Sequence, residues 1–99
     1  MRTLLRFQVP TEAGNAAIKD GRLGRVIADV LDRLKAEAAY FTAMERGERG
    51  GYIVFDLKDP SDIPWVCEPL FLELNASVDL SPVMTPEDVE RGVAKAMTG

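Results

Sequence analysis

Residues 52–83 read YIVFDLKDPSDIPWVCEPLFLELNASVDLSPV, and the two ends of this stretch keep a different rhythm from its middle. Tyr52 to Leu57 alternates: Ile53, Phe55 and Leu57 face one way, while Tyr52, Val54 and Asp56 face the other. Period two over six residues predicts a strand with one buried face. KDPSD, residues 58–62, stops the alternation and offers Ser61 or Asp62 as a helix cap, with Pro64 tolerated in the first turn. From there to Leu74 the spacing becomes helical. Ile63, Val66, Cys67, Leu70, Phe71 and Leu74 fall on one face, and Trp65, Glu68 and Leu72 lie three and four apart on another. Asn75 suits the left-handed residue that ends a helix. Ala76 to Met84 returns to period two. The stretch is therefore strand, helix, strand. One feature disturbs it: Pro69, inside the helix, has no amide hydrogen, so the helix must kink or leave the carbonyl of Trp65 free.

The same two periods organise the rest of the chain. Thr3 to Val9 alternates as a strand, with Leu5, Phe7 and Val9 on one side and Leu4, Arg6 and Gln8 on the other. Pro10 ends it, Thr11 is placed to cap a short helix, and Glu12 adds an acidic group to its first turn. KDGRLG, residues 19–24, interrupts that helix. The next carries Leu23, Val26, Ile27, Val30, Leu31 and Leu34 on one face, the clearest helical spacing in the chain. Ala38 to Met44 reads as a strand and ERGERGG, residues 45–51, as a charged turn, which makes a hairpin with Tyr52 to Leu57. TPEDVERGVAKAM, residues 85–97, is a helix with Thr85 as cap, Pro86 at its first position and Glu87 and Asp88 in its first turn. The order is strand, interrupted helix, strand, strand, helix, strand, helix, an α+β arrangement in one domain spanning 1–99.

Sorting the four strands by parity separates two faces. Leu5, Phe7, Val9, Ala39, Phe41, Ala43, Ile53, Phe55, Leu57, Ala76, Val78 and Leu80 are all apolar and are expected to lie under the helices. The other face carries Leu4, Arg6, Gln8, Tyr40, Thr42, Met44, Tyr52, Val54, Asp56, Ser77, Asp79, Ser81 and Val83. Its aliphatic and aromatic members suit poorly a surface left in water, and its charges suit poorly a dry core. An interface between chains, or a wet cavity, accommodates both.

Composition narrows the chemistry. The chain has no histidine, so the commonest base near neutral pH and the commonest metal ligand are missing. A zinc site built from Cys67 and carboxylates alone is disfavoured, and no metal site is expected. One cysteine cannot form an internal disulfide. A net charge of −4 gives no general attraction to phosphate backbones, so neither nucleic acid nor a membrane is expected as a partner. GRLG, residues 21–24, stands between two helices as the glycine loop of a KH domain does, but the acidic residues around it favour a plain helix stop and restart. No apolar run approaches the ~18 residues of a membrane span, and the first residues lack a cleavage pattern, so a cytoplasmic location is expected.

The element order resembles the ferredoxin-like βαββαβ unit with one added C-terminal helix. More narrowly, YIVFDLKDPSDI (52–63) and EPLFLELNASVDLSPV (68–83) resemble the dimeric α/β-barrel superfamily, which includes muconolactone-isomerase-like and antibiotic-biosynthesis-monooxygenase-like proteins. The resemblance implies a four-stranded antiparallel sheet and a homodimer in which two open sheet faces meet to close a barrel. It implies no catalytic residue, because the histidines that many members place near their pockets are missing. If the first and third strands are central, Arg6 lies inside the barrel, with Asp79 or Asp56 as carboxylate partner.

Two readings of function follow. In the first, the protein binds or transforms a small apolar or aromatic compound without a cofactor. Arg6 would then anchor an anion, a carboxylate such as Glu68 or Asp79 would move protons, and Tyr40, Tyr52 and Trp65 would contact the ligand. A kinked helix over the sheet would open a cavity lined by Trp65, Phe41, Phe55 and Phe71, with Glu68 at its rim. In the second, the protein is a non-catalytic assembly module. Arg6 then sits in a structural ion pair and the mixed face is purely a dimer interface. Cys67 reads as a buried, unreactive thiol in both.

Overall fold

The computed structural model describes the whole chain, Met1 to Gly99. Its elements are β1 (Arg2–Val9), α1 (Thr11–Lys19), α2 (Arg22–Leu34), β2 (Ala38–Ala43), β3 (Arg49–Asp56), α3 (Asp62–Leu74), β4 (Ser77–Pro82) and α4 (Pro86–Thr98). The four strands form one sheet in the order β2-β3-β1-β4, antiparallel at every pairing. This α+β arrangement is compatible with a ferredoxin-like unit.

The register explains why the apolar parity set packs. Leu5 stands opposite Ile53 on one side and Leu80 on the other, and Phe7 stands opposite Gly51 and Val78. These residues meet Val26, Val30 and Leu34 of α2 and Val66, Leu70 and Leu74 of α3 in a single core. Leu5, Ile53, Leu70, Leu74, Val9, Val30 and Val66 lose essentially all contact with solvent. Each contributes about 1.5–3 kcal/mol of burial. The helix of clearest spacing, α2, thus lays its stripe on the sheet, and α3 does the same beside it.

Local chemistry sets most of the breaks as expected. Gly21, with φ of 81°, separates α1 from α2 in a conformation that costs a side chain energy. Asn75 ends α3 in the left-handed region. Thr85 caps α4 in a reciprocal box with Asp88. Three features differ. Thr11 is the first residue of α1 and not its cap. Its amide instead donates to the Glu48 carboxylate, 3.2 Å away. The turn after β2 is a 3-10 turn over Glu45–Gly47, so Gly50 and Gly51, read as turn residues, lie inside β3. Finally, the helices stop short of the β2 edge, so Phe41 faces the helix side yet remains 55% exposed.

The last element departs from the body. None of the residues of α4 is buried, and Val89, Val93 and Met97, four apart, form an exposed apolar stripe. The Cα radius of gyration is 15.8 Å, with a long axis of 56 Å. A compact chain of this length has a radius near ~13 Å. The C-terminal helix is an arm, and it leaves from the end of the sheet where Val83 donates to the carbonyl of Arg2, 3.1 Å away.

Candidate functional site

The open face of the sheet carries a row that crosses all four strands. Tyr40 on β2 stands opposite Tyr52 on β3, Tyr52 opposite Arg6 on β1, and Arg6 opposite Asp79 on β4. Four residues picked out separately along the sequence therefore share one line. Leu4 and Val54 form an aliphatic pair on the same face, one step along the strands.

Arg6 is the polar centre of this row. Its side chain is 28% exposed, and one guanidinium nitrogen donates to Glu45 while another stands 3.8 Å from Asp79. Sequence reasoning missed Glu45, because it lies in the turn and reaches back over the sheet only once the hairpin is formed. Asp56, the other expected partner, is elsewhere: it stands opposite Arg2 and pairs with the Met1 amino group at 2.6 Å. Glu45, and after it the Tyr52 hydroxyl, hold Arg6 more firmly protonated. Glu45's own amide, and then Arg6, hold the Glu45 carboxyl below its usual range. The charge of Arg6 is thus compensated within the chain.

Next to this row, Glu48 gathers three donors. Gln8 Nε2 donates to it at 2.7 Å, the Thr11 amide at 3.2 Å and Arg46 at 3.1 Å. Gln8 also donates to the Glu45 carbonyl at 3.1 Å. These bonds, Gln8's foremost, lower the pKa of Glu48. The cluster ties the β2–β3 turn to the end of β1 and the start of α1. Glu45 and Glu48 stay ionised near neutral pH, so neither is poised to exchange protons there. The row's two phenols can donate hydrogen bonds.

Trp65 and Glu68 lie elsewhere. They line an outer cleft of about 630 Å³ between α2 and α3, together with Arg25, Asp29 and Arg33. The carbonyl that Pro69 frees is found here, and Arg33 donates to it at 2.9 Å. The same guanidinium stands 5.4 Å from the centre of the Trp65 ring and bonds Asp29 at 3.0 Å. The four-aromatic cavity expected between α3 and the sheet is not assembled. Phe55 is in the core, Trp65 and Phe71 are on the outer surface, and Phe41 is at the β2 edge. The reason is that Val66, Leu70 and Leu74 fill the space beneath α3. Cys67 is buried, and burial, with Glu68's charge second, pushes its thiol up.

No group of cysteine and acidic side chains is gathered so as to hold a metal ion, and no helix is long and apolar enough to cross a membrane. Comparison with models of known protein families and with curated proteins finds no match to this chain.

Proposed function

We infer that the chain works as a homodimer, a ferredoxin-like subunit whose open sheet face meets that of a second copy in the manner of the dimeric α/β barrels, and that the dimer binds a small apolar or aromatic compound without a cofactor. The observation that carries the dimer is the open face itself. It presents Tyr40, Tyr52, Leu4 and Val54 around an arginine already neutralised by two carboxylates. A two-fold axis makes such a face self-complementary, with rings and aliphatics at its centre and charge compensated before burial. The projecting α4 supports the same reading. A helix of 13 residues with nothing buried is marginal by itself, and a second copy is the surface its Val89, Val93 and Met97 stripe would meet.

The paired state of Arg6 also favours a particular division of labour. With Glu45 and Asp79 against it, Arg6 serves the interface, and the ligand belongs on the other side of the sheet. The experiment is a Val54→Asp variant compared with wild type by light scattering after size exclusion. Wild type should have about twice the 10.9 kDa chain mass, and the variant about one chain mass with an unchanged far-ultraviolet spectrum. A monomeric wild type would remove the homodimer. Were the variant to stay dimeric, the interface would lie elsewhere.

A further inference from the structure

The uncovered edge of the sheet has a shape of its own. Between α2 and the β2–β3 hairpin, on the helix side, lies a cleft of about 430 Å³. Phe7, Leu23, Ile27 and Phe41 line it, and so does Arg49. The volume falls within the range of small-molecule sites, which are apolar with a few placed polar groups. In the sheet Gly51 stands opposite both Phe7 and Phe41, and the two rings meet edge to face with centroids 6.2 Å apart.

Arg49 is the unusual member. Six of the eight arginines, Arg2, Arg6, Arg22, Arg33, Arg46 and Arg91, are in ion pairs; Arg25, which lines the outer cleft between α2 and α3, and Arg49 are in none. Its placement is nonetheless built. One nitrogen donates to Asn15 Oδ1, a neutral acceptor, at 3.0 Å. Another lies against Gly14 of α1, where a Cβ would stand 2.6 Å from it. Glu48, its neighbour in sequence, accepts instead from Gln8, Thr11 and Arg46. An apolar cleft with one positioned, uncompensated guanidinium is complementary to a molecule with one apolar body and one anionic end.

We propose that this cleft binds a small apolar monocarboxylate, an aryl- or alkyl-substituted acid, with its body against Phe7, Ile27 and Phe41 and its carboxylate on Arg49. The site rests on the ligand part of the function inferred above and names its chemistry. It lies on the opposite side of the sheet from the open face.

The test uses the full chain, with amide chemical shifts followed during titration with phenylacetate and, separately, with phenylacetamide, its uncharged counterpart. Phenylacetate should shift the amides of Ile27, Phe41, Arg49 and Gly50, and bind about tenfold or more tightly than the amide. Arg49→Gln should reduce phenylacetate binding to the level of phenylacetamide and leave phenylacetamide unchanged. Ile27→Glu, at a partly buried position, places a carboxylate in the cleft and should abolish phenylacetate binding with the spectrum still dispersed. Equal binding of the two probes, indifferent to Arg49→Gln, would overturn the carboxylate assignment and leave a site for neutral apolar compounds. Shifts confined to residues outside the cleft, or none with either probe, would overturn the site altogether, while the mass of the dimer is measured independently of both.

Discussion

Pro69 has no amide hydrogen to give, and the consequence is settled by one side chain of another helix. The carbonyl of Trp65 turns to Arg33, whose guanidinium also lies by the indole ring and pairs with Asp29. Replacing Arg33 by Ala should therefore do three things together: free a carbonyl, uncover a ring and strand a carboxylate. The expected cost is about 1 kcal/mol, close to that of one hydrogen bond lost near the surface. Trp65 is the chain's one tryptophan, so its emission reports the change directly. We expect altered Trp65 emission in native Arg33→Ala and a lower denaturation midpoint with an unchanged slope. The freed carbonyl was legible from the proline alone. Its partner was not, since Arg33 and Trp65 are brought together only by the packing of α2 on α3. A second residue-scale prediction concerns Gly51. A Cβ there would collide with the Tyr40 carbonyl oxygen and press on Phe41. Gly51→Ala should destabilise the fold by about 1–3 kcal/mol, as overpacking does, and should broaden or shift the resonances of β2. Thermal or urea unfolding measures the first and amide spectra the second.

At the scale of elements, the two faces of every strand could be read from period two. So could the stripe of α2, the left-handed end of α3 and the Thr85 cap. These depend on residues near each other in sequence. What could not be read is the clasp around Glu48, which joins β1, the hairpin turn and the first turn of α1 across some forty residues. Thr11 was expected to cap its own helix; a carboxylate from another element does that work. The clasp has a pH signature. Glu48 has its folded pKa lowered, chiefly by the Gln8 bond. A lowered carboxylate contributes stability that is present above its unfolded pKa, about 4.3, and is lost as pH falls through the lower folded value. Wild type should thus exceed Glu48→Gln in stability by a constant margin at neutral pH. That margin should shrink only below the ordinary carboxylate range. Urea unfolding of both proteins across acid pH checks this; a margin that is flat down to the lowest pH would show that the charge of Glu48 is not what holds the clasp.

The whole molecule is elongated for its length because α4 projects without burying any of its residues against the rest of the chain. Its apolar stripe and Tyr40 of the open sheet face are unsatisfied in the same sense: both present apolar surface that this chain does not cover. The mixed character of the open face was legible from parity. Its organisation into a single row, Tyr40–Tyr52–Arg6–Asp79, required the register of three strand pairs and could not be had from one sequence. The α2–hairpin cleft was hidden for a related reason. Phe41 has the parity of a core residue, and only the position of the helices leaves it open. Whether the open face meets its own copy is decided by isotope-filtered nuclear Overhauser measurements on a mixture of labelled and unlabelled protein, which detect contacts between chains alone. Contacts are expected from the methyl groups of Leu4 and Val54 to the rings of Tyr40 and Tyr52 of the other copy. Contacts between chains that avoid these residues, or none in a protein sedimenting as a single chain, would rule out a dimer joined through this face.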